Sequence, residues 1–415
     1  AQTTRNAPAR TKSSVARMAG KVWLACNIVG AAGISVARGP LDLHGVNHSA
    51  TIPSFGEFLQ AQGRSYEVGS TEYERRRALF ERRAQEAELQ NRKPDRRWTA
   101  SVSYLWDWDE EELKTLRGWV SSARPLSASG GVAQRGGSGA ALFLQEPTPL
   151  PESKDWTHLR ASKQVRKQAG CGSCWAIAAS TVLQAHAEIY TNSDRTFSAQ
   201  QLVSCVPNPR KCGGEGGCQG ATVELAMQWV MENGCAEEYQ VPYIGQTGQC
   251  HKEGGFALTS SMPSEASTEA SAVAASFGMR GWERLPENKM EPLMRALAER
   301  GPVAVSVAAA TWHIYGRGVL DDCSLDAIVN HAVVAVGYGQ DGQTGAKYWR
   351  MQNSWGREWG EGGFIRMLRT DEDDTRCGID NKPEQGSGCE GGPPEVKVCG
   401  SCGVLYDSVV PHFGK

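Results

Sequence analysis

Gln168-Ala169-Gly170-Cys171-Gly172-Ser173-Cys174-Trp175 leads into apolar residues at Trp175, Ala178, Val182, Ala185 and Ile189, the spacing of one helix face. A helix over Cys174 to Tyr190 therefore begins just after a Gly/Ser turn, and Cys174 sits at its N-terminus. There the positive end of the helix dipole and the unpaired N–H groups favour thiolate over thiol. Cys174 is thus a candidate nucleophile. The same Cys171-Gly172-Ser173-Cys174 spacing also suits a redox pair or half of a zinc site, and spacing alone does not choose between these readings.

A nucleophilic thiol needs a base. Of the eight histidines, His186 lies on the Cys174 helix twelve residues on, about 18 Å away at 1.5 Å per residue, and is excluded. His44, His48, His158, His251 and His412 read as surface or packing residues, and His313 as structural. His331 differs. It opens the strand-like run through Val333 to Val336, which Gly339 to Gly345 turns back into Tyr348 to Gln352. A hairpin centred on Gly342 sets His331 opposite Asn353, close enough for the Asn carboxamide to fix the imidazole tautomer.

Upstream, Thr51 to Trp119 is charged and helix-forming, with Leu79, Phe80, Ala84, Ala87 and Leu89 at helical spacing. It reads as a long amphipathic helix, followed by an acidic cluster, Asp107 to Glu112, that opens a second helix at Leu113 and Leu116. Residues 121–149 have the Gly/Ser composition of a flexible linker. Beyond the prolines at 147, 149 and 151, helical segments come first and strands later, the order of an α+β domain or of two packed lobes.

Bulk properties bound the rest. At 415 residues the chain suggests more than one folding unit. Lys+Arg 44 against Asp+Glu 46 leaves no nucleic-acid footprint. Thirteen cysteines fit an oxidising compartment, and the odd number leaves at least one thiol outside intrachain pairing. Residues 18–37 read as a signal peptide rather than a stable membrane span, with residues 1–17 upstream of it. Asn47-His48-Ser49 matches a glycosylation acceptor.

Taken together, Gln168 to Trp175, Asn330-His331-Ala332 with Val336-Gly337-Tyr338-Gly339, and Asn353-Ser354-Trp355-Gly356 with Trp359-Gly360 resemble the papain-like cysteine proteases. Glu72, Arg76, Phe80 and Asn91 resemble the inhibitory propeptide of cathepsin L-like proenzymes, with Arg83 and Ala87 departing from it. The following segment keeps Asp107 and Glu112. The resemblance covers about residues 55–119 and 150–382. It implies a two-lobed fold, helical on the left with an antiparallel β-barrel-like right lobe, preceded by a helical propeptide at 38–120. The peptidase domain is expected over 150–388, with a cysteine-rich tail at 389–415.

The same resemblance implies Cys174 as nucleophile, His331 as base and then acid, and Asn353 as orienter. Gln168 and the Cys174 N–H would form the oxyanion hole, and Trp355 would shield the Asn–His bond. Gly220 and Ala221 would meet the substrate backbone. Thr222, Val223, Ala332 and Lys382 would line the pocket for the second side chain before the scissile bond; a Lys there would admit acidic or polar residues.

Disulfides Cys171–Cys218, Cys205–Cys250 and Cys323–Cys377 are implied, leaving Cys174 free. Cys212, Cys235, Cys389, Cys399 and Cys402 lie outside that pattern; a tail disulfide is preferred to a metal site for Cys399 and Cys402. The expectation is a monomeric endopeptidase zymogen of the secretory pathway, lysosomal, vacuolar or extracellular, acting on polypeptides and inhibited by its own propeptide. It requires no cofactor and no metal, and no paired-histidine loop marks an exopeptidase. The alternatives are a catalytically silent papain-like binding protein and a thiol–disulfide oxidoreductase.

Overall fold

The computed structural model describes residues 52–118, 149–250, 277–372 and 376–414. The expected signal peptide, the glycosylation motif and nearly all of the linker lie outside these residues. The order is α1 (Phe55–Gln62), α2 (Thr71–Arg92), β1 (Trp98–Ala100), α3 (Glu110–Thr115), β2 (Lys154–Asp155) and α4 (Arg160–Lys163). Next come α5 (Cys174–Thr191), α6 (Ala199–Cys205), α7 (Val223–Asn233), β3 (Met279–Arg284), α8 (Met290–Glu299) and β4 (Val303–Val307). β5 (Tyr315–Leu320), β6 (His331–Gln340), β7 (Lys347–Gln352), β8 (Phe364–Leu368), β9 (Cys377–Asp380), β10 (Val396–Cys399) and β11 (Ser408–Phe413) complete it.

The stretch expected as one long helix is two, because Ser54 caps α1 in a capping box with Glu57 and Gly63 ends it in the left-handed region. Ser70 then starts α2 by accepting from the Tyr73 N–H. Asp109 and Glu112 form a second capping box on α3, as the acidic cluster predicted. Phe55, Phe58, Phe80 and Trp106 stack where α1 and α2 meet, with Phe58 and Phe80 centroids 4.9 Å apart. Across this core Arg76 binds Glu72 at 2.7 Å, the Asp107 carbonyl at 2.8 Å and Glu112, joining α2 to α3. Asn91 exchanges two hydrogen bonds with the backbone of Ala100, at 2.8 and 3.0 Å. Arg83, a departure from the family pattern, is 1% exposed and donates to the Leu105 carbonyl. Burial pulls its pKa down to about 10.

The main sheet runs β1-β5-β8-β7-β6-β4-β11-β3, with β2 added on β6. It is open and mixed, since β5 and β8 pair in parallel; the barrel-like right lobe expected from the sequence is an open sheet here. β6 is buried on both faces. Ala332, Val334 and Val336 join the core containing α5, α6 and α7, while Val333, Ala335 and Tyr338 join the core containing α8. α5 is buried nearly all round from Cys174 to Ala187, with three alanines among the first six residues allowing close approach.

The segment expected to be a tail instead completes the fold. β11 lies between β4 and β3, and β10 pairs with β9 so that Cys399 stands opposite Cys377. This corrects the disulfide expectation: Cys377 bonds Cys399 and Cys323 bonds Cys402, so Cys323–Cys377 does not form. Cys171–Cys218 and Cys205–Cys250 are present, and Cys212 bonds Cys389. Cys174 and Cys235 are free. No helix among the described residues is long and apolar enough to cross a membrane. Non-reducing peptide mapping is expected to recover the peptides containing Cys377 and Cys399 joined, and those containing Cys323 and Cys402 joined; a Cys323–Cys377 peptide would contradict the β9–β10 pairing.

Candidate active site

α5 delivers Cys174 at its first residue, and the Cys171–Cys218 bridge pins the preceding turn. That bridge removes the redox reading of the Cys-x-x-Cys. No group of three His, Cys, Asp or Glu residues suited to a metal lies together among the described residues. The thiol is 3% exposed and borders one cavity with His331, Ala332 and the propeptide residues Arg117 and Gly118.

His331 opens β6, and its Nε2 lies 2.8 Å from Asn353 Oδ1. Asn353 Oδ1 also accepts from the Ser354 N–H at 2.8 Å, which fixes the carboxamide with its oxygen toward the ring. Nε2 therefore carries the proton, and Nδ1, which has no hydrogen-bond partner, is the basic nitrogen left for the thiol. The contact survives a register different from the one expected. Val334 faces Gln352, and a bulge falls between Ala335 and Gly337, so His331 and Asn353 are diagonal neighbours. An offset of two residues keeps both on one face.

Three indoles enclose this pair. Trp355 lies 5.1 Å from the His331 ring and Trp312 meets it edge-on at 6.0 Å, while Trp359 packs on both tryptophans. A water-poor shell strengthens the His–Asn hydrogen bond. Trp355 is visible in the sequence motif, whereas Trp312 lies beside the set-aside His313 and nothing local marks it.

Gln168 donates through Nε2 to the carbonyls of Leu116 and Cys171, at 3.1 and 2.9 Å. Ser354 Oγ donates to Gln168 Oε1 at 2.6 Å and orients the amide, a role the sequence reading missed although Ser354 stands inside the quoted motif. The propeptide backbone thus places a carbonyl oxygen on a carboxamide beside the thiol. Gly118 then lies so near the wall that a β-carbon on Gly220 would come within 1.4 Å of its oxygen, so only glycine fits at Gly220.

The pocket expected for the second side chain is lined by Ala221, Thr222, Val223 and Ala332, joined by Ser306, Gly386 and Ser387. Lys382 does not line it. The short turn Pro383–Gln385 carries it outward, where it is exposed and its N–H donates to Asp380 Oδ1 at 3.0 Å. The proposed tolerance for acidic residues loses its basis. Gly213 and Gly388 are hydrogen-bonded at 2.9 Å beside the Cys212–Cys389 bridge, which ties the pocket's two rims.

Residues 150–387 match the model of the papain family cysteine proteases. The chain belongs to that family. It is 31% identical over 322 residues to the cysteine endopeptidase RepA of Oryza sativa subsp. japonica, covering 75% of this chain and 78% of that one. It is 35% identical over 236 residues to a KDEL-tailed cysteine endopeptidase of Arabidopsis thaliana, spanning 55% of this chain and 58% of that relative. Among solved structures, recombinant stem bromelain precursor aligns with TM-score 0.62 at 26% identity, over 87% of this chain and 98% of that one. The papain-like fold here thus carries an N-terminal helical region, as a precursor does.

Burial under the propeptide controls the site's charge. It pushes the Cys174 thiol up to about 11, against N–H donors led by Ala332. It pushes His331 down to about 4, with Asn353 opposing and the Arg117 charge adding to the fall. Both groups are therefore neutral at pH 7 while Leu116 to Gly118 cover them. Removing the cover is expected to lower the thiol pKa and raise the imidazole pKa, since burial is the largest cause of both shifts. Alkylation of Cys174 at pH 7 is expected to be at least about 100-fold slower in the proform than in the processed chain, since two pKa units change the thiolate fraction by that factor. Equal rates, read by mass spectrometry of the Cys174 peptide, would refute this.

Proposed function

We propose that the chain is the zymogen of a cysteine endopeptidase that hydrolyses peptide bonds through a Cys174–His331–Asn353 set. The observation that carries this reading is the Leu116 carbonyl held by Gln168 beside Cys174, with His331 anchored on Asn353 at 2.8 Å. A propeptide peptide group occupies the place where a substrate carbonyl would sit. In the open enzyme, the proton of the thiol passes to His331 Nδ1 and the thiolate attacks the carbonyl carbon. Gln168 Nε2 and the Cys174 N–H stabilise the oxyanion. His331 protonates the leaving amine, water attacks the thioester, and the cycle returns the thiol.

The propeptide acts as an intramolecular inhibitor by lining up wholly on the enzyme's own edges. β1 pairs antiparallel with β5, Ser103 Oγ donates to the His313 carbonyl at 3.0 Å, and Leu116 closes the cleft. Five disulfides among the described residues support maturation in an oxidising compartment of the secretory pathway.

Cys174→Ala and His331→Ala are each expected to lower kcat/KM on peptide substrates by more than about 10³-fold, and Gln168→Ala by about 10²-fold. A peptidyl epoxide that alkylates catalytic thiols is expected to label Cys174 after processing. Activity that survives Cys174→Ala, or an adduct only on another residue, would sink the reading.

Acid should loosen the cover. Glu72 is held below the usual carboxylate range by hydrogen bonds from Arg76 and then Arg75, and Asp109 by the Glu112 N–H and then Arg75. Both pKa values are depressed in the folded proform, so their contribution is present at neutral pH and lost as pH falls through the depressed values. Self-processing, followed on gels, is expected to accelerate on acidification, with Arg75→Ala moving the midpoint to higher pH. An unchanged midpoint would show that these pairs do not hold the propeptide.

A further inference from the structure

Ser173 stands at the N-cap of α5, the place where a serine hydroxyl ordinarily accepts from an N–H of the first helical turn. Ser54, Ser70 and Ser198 cap α1, α2 and α6 in that way, but Ser173 makes no cap bond. Its side chain is fully buried and turned elsewhere: Oγ lies 2.5 Å from the Tyr243 hydroxyl. Tyr243 in turn donates to the main-chain carbonyl of Gln168 at 2.8 Å. With its one proton committed there, Tyr243 accepts from Ser173, and the chain of donors runs from Ser173 to Tyr243 to Gln168.

The two ends of this chain are the residue before the thiol and the residue whose carboxamide lies beside it. Between them the backbone turns through Ala169, held at φ 54°, a left-handed conformation unfavourable to a residue with a β-carbon. The Tyr243 hydroxyl spans that turn. Its own loop is fastened: the Tyr243 N–H donates to Glu238 Oε1 at 2.9 Å, and Gln200 on α6 accepts from the Ile244 N–H at 3.0 Å and donates to the Gln246 carbonyl at 2.8 Å. The Cys205–Cys250 bridge closes the same loop onto α6. Burial first, and the nearby Cys174 after it, raise the Tyr243 pKa against the Ser173 hydrogen bond, so the hydroxyl keeps its proton at neutral and acid pH.

We infer that Tyr243 is a positioning residue for peptide hydrolysis: its hydroxyl, shared between Ser173 and Gln168, sets the spacing between the Cys174 thiol and the Gln168 amide. This deepens the endopeptidase reading and rests on it. The thiolate and the amide must meet one carbonyl group at the same time, and a small displacement of either is costly. A hydroxyl spent on a helix cap would serve α5 alone. Spent on Tyr243, it ties the start of α5 to the segment that carries the oxyanion donor, which is the kind of local rule a functional site breaks.

The test uses the full chain, activated by acid and counted by titration with a peptidyl epoxide, in two reactions. Hydrolysis of a dipeptidyl aminocoumarin amide passes through an oxyanion, whereas alkylation of Cys174 by iodoacetamide needs the thiolate alone. Tyr243→Phe, which removes only the hydroxyl, is expected to lower kcat by about 10-fold, less than the loss of an oxyanion donor itself, and to leave KM and the alkylation rate as they were. Ser173→Ala forfeits no helix cap and is expected to lower kcat in the same selective way, so the inference stays testable even if Tyr243→Phe does not fold. Combining the two is expected to cost less than the product of their separate effects, because they break one chain. Hydrolysis unaltered in either variant, or hydrolysis and alkylation slowed alike, would overturn the inference alone. An unsubstituted chain that is alkylated at Cys174 yet cleaves no peptide would overturn the endopeptidase reading and this inference with it.

Discussion

The Gln168 carboxamide donates to the Leu116 carbonyl beside a buried thiol, and that contact couples the two halves of the molecule. For it to form, a backbone strand from the N-terminal region must lie in the cleft with its peptide group at a set height above α5. The height is set from below by the Cys171–Cys218 bridge and from the side by Ser354, which locks the amide of Gln168. It is set from above by the α1–α2 core and the Arg76 hydrogen bonds that hold the α3 segment in place. All of these supports bear on the position of the same carbonyl.

On the proposed mechanism, the cover would inhibit by electrostatics as well as by occupancy. A thiolate–imidazolium pair needs solvent or fixed dipoles to stabilise its charges, and Leu116 to Gly118 displace the solvent. The fixed partners that remain, the N–H groups donating to Cys174 and the Asn353 oxygen accepting from His331, oppose the burial without overcoming it. On that mechanism inhibition and ionisation would be linked: whatever opens the cleft would also charge the pair.

Much of the site was legible in the sequence because its parts are local. The turn before α5, the period of that helix, and the hairpin carrying His331 and Asn353 are short-range patterns, and even a misplaced hairpin centre kept the two residues on one face. What was not legible depends on strand order. Nothing near Cys399 says that β10 will pair with β9, so its bond to Cys377 could not be read, and the assumed Cys323–Cys377 pairing failed with it. Ser306 could not be placed in the pocket until β4 was known to pair with β6, which sets it opposite Ala332. Lys382 misled for the reverse reason, since alignment by position takes no account of the turn that carries it to solvent.

The Cys212–Cys389 bridge ties a loop on the helical side to one on the sheet side at the rim of the pocket, reinforced by the Gly213–Gly388 hydrogen bond and by the Glu390 N–H donating to the Arg210 carbonyl. The bridge joins positions 177 residues apart, so the chain between them is one closed loop and the two sides of the rim stay within a disulfide's reach of each other.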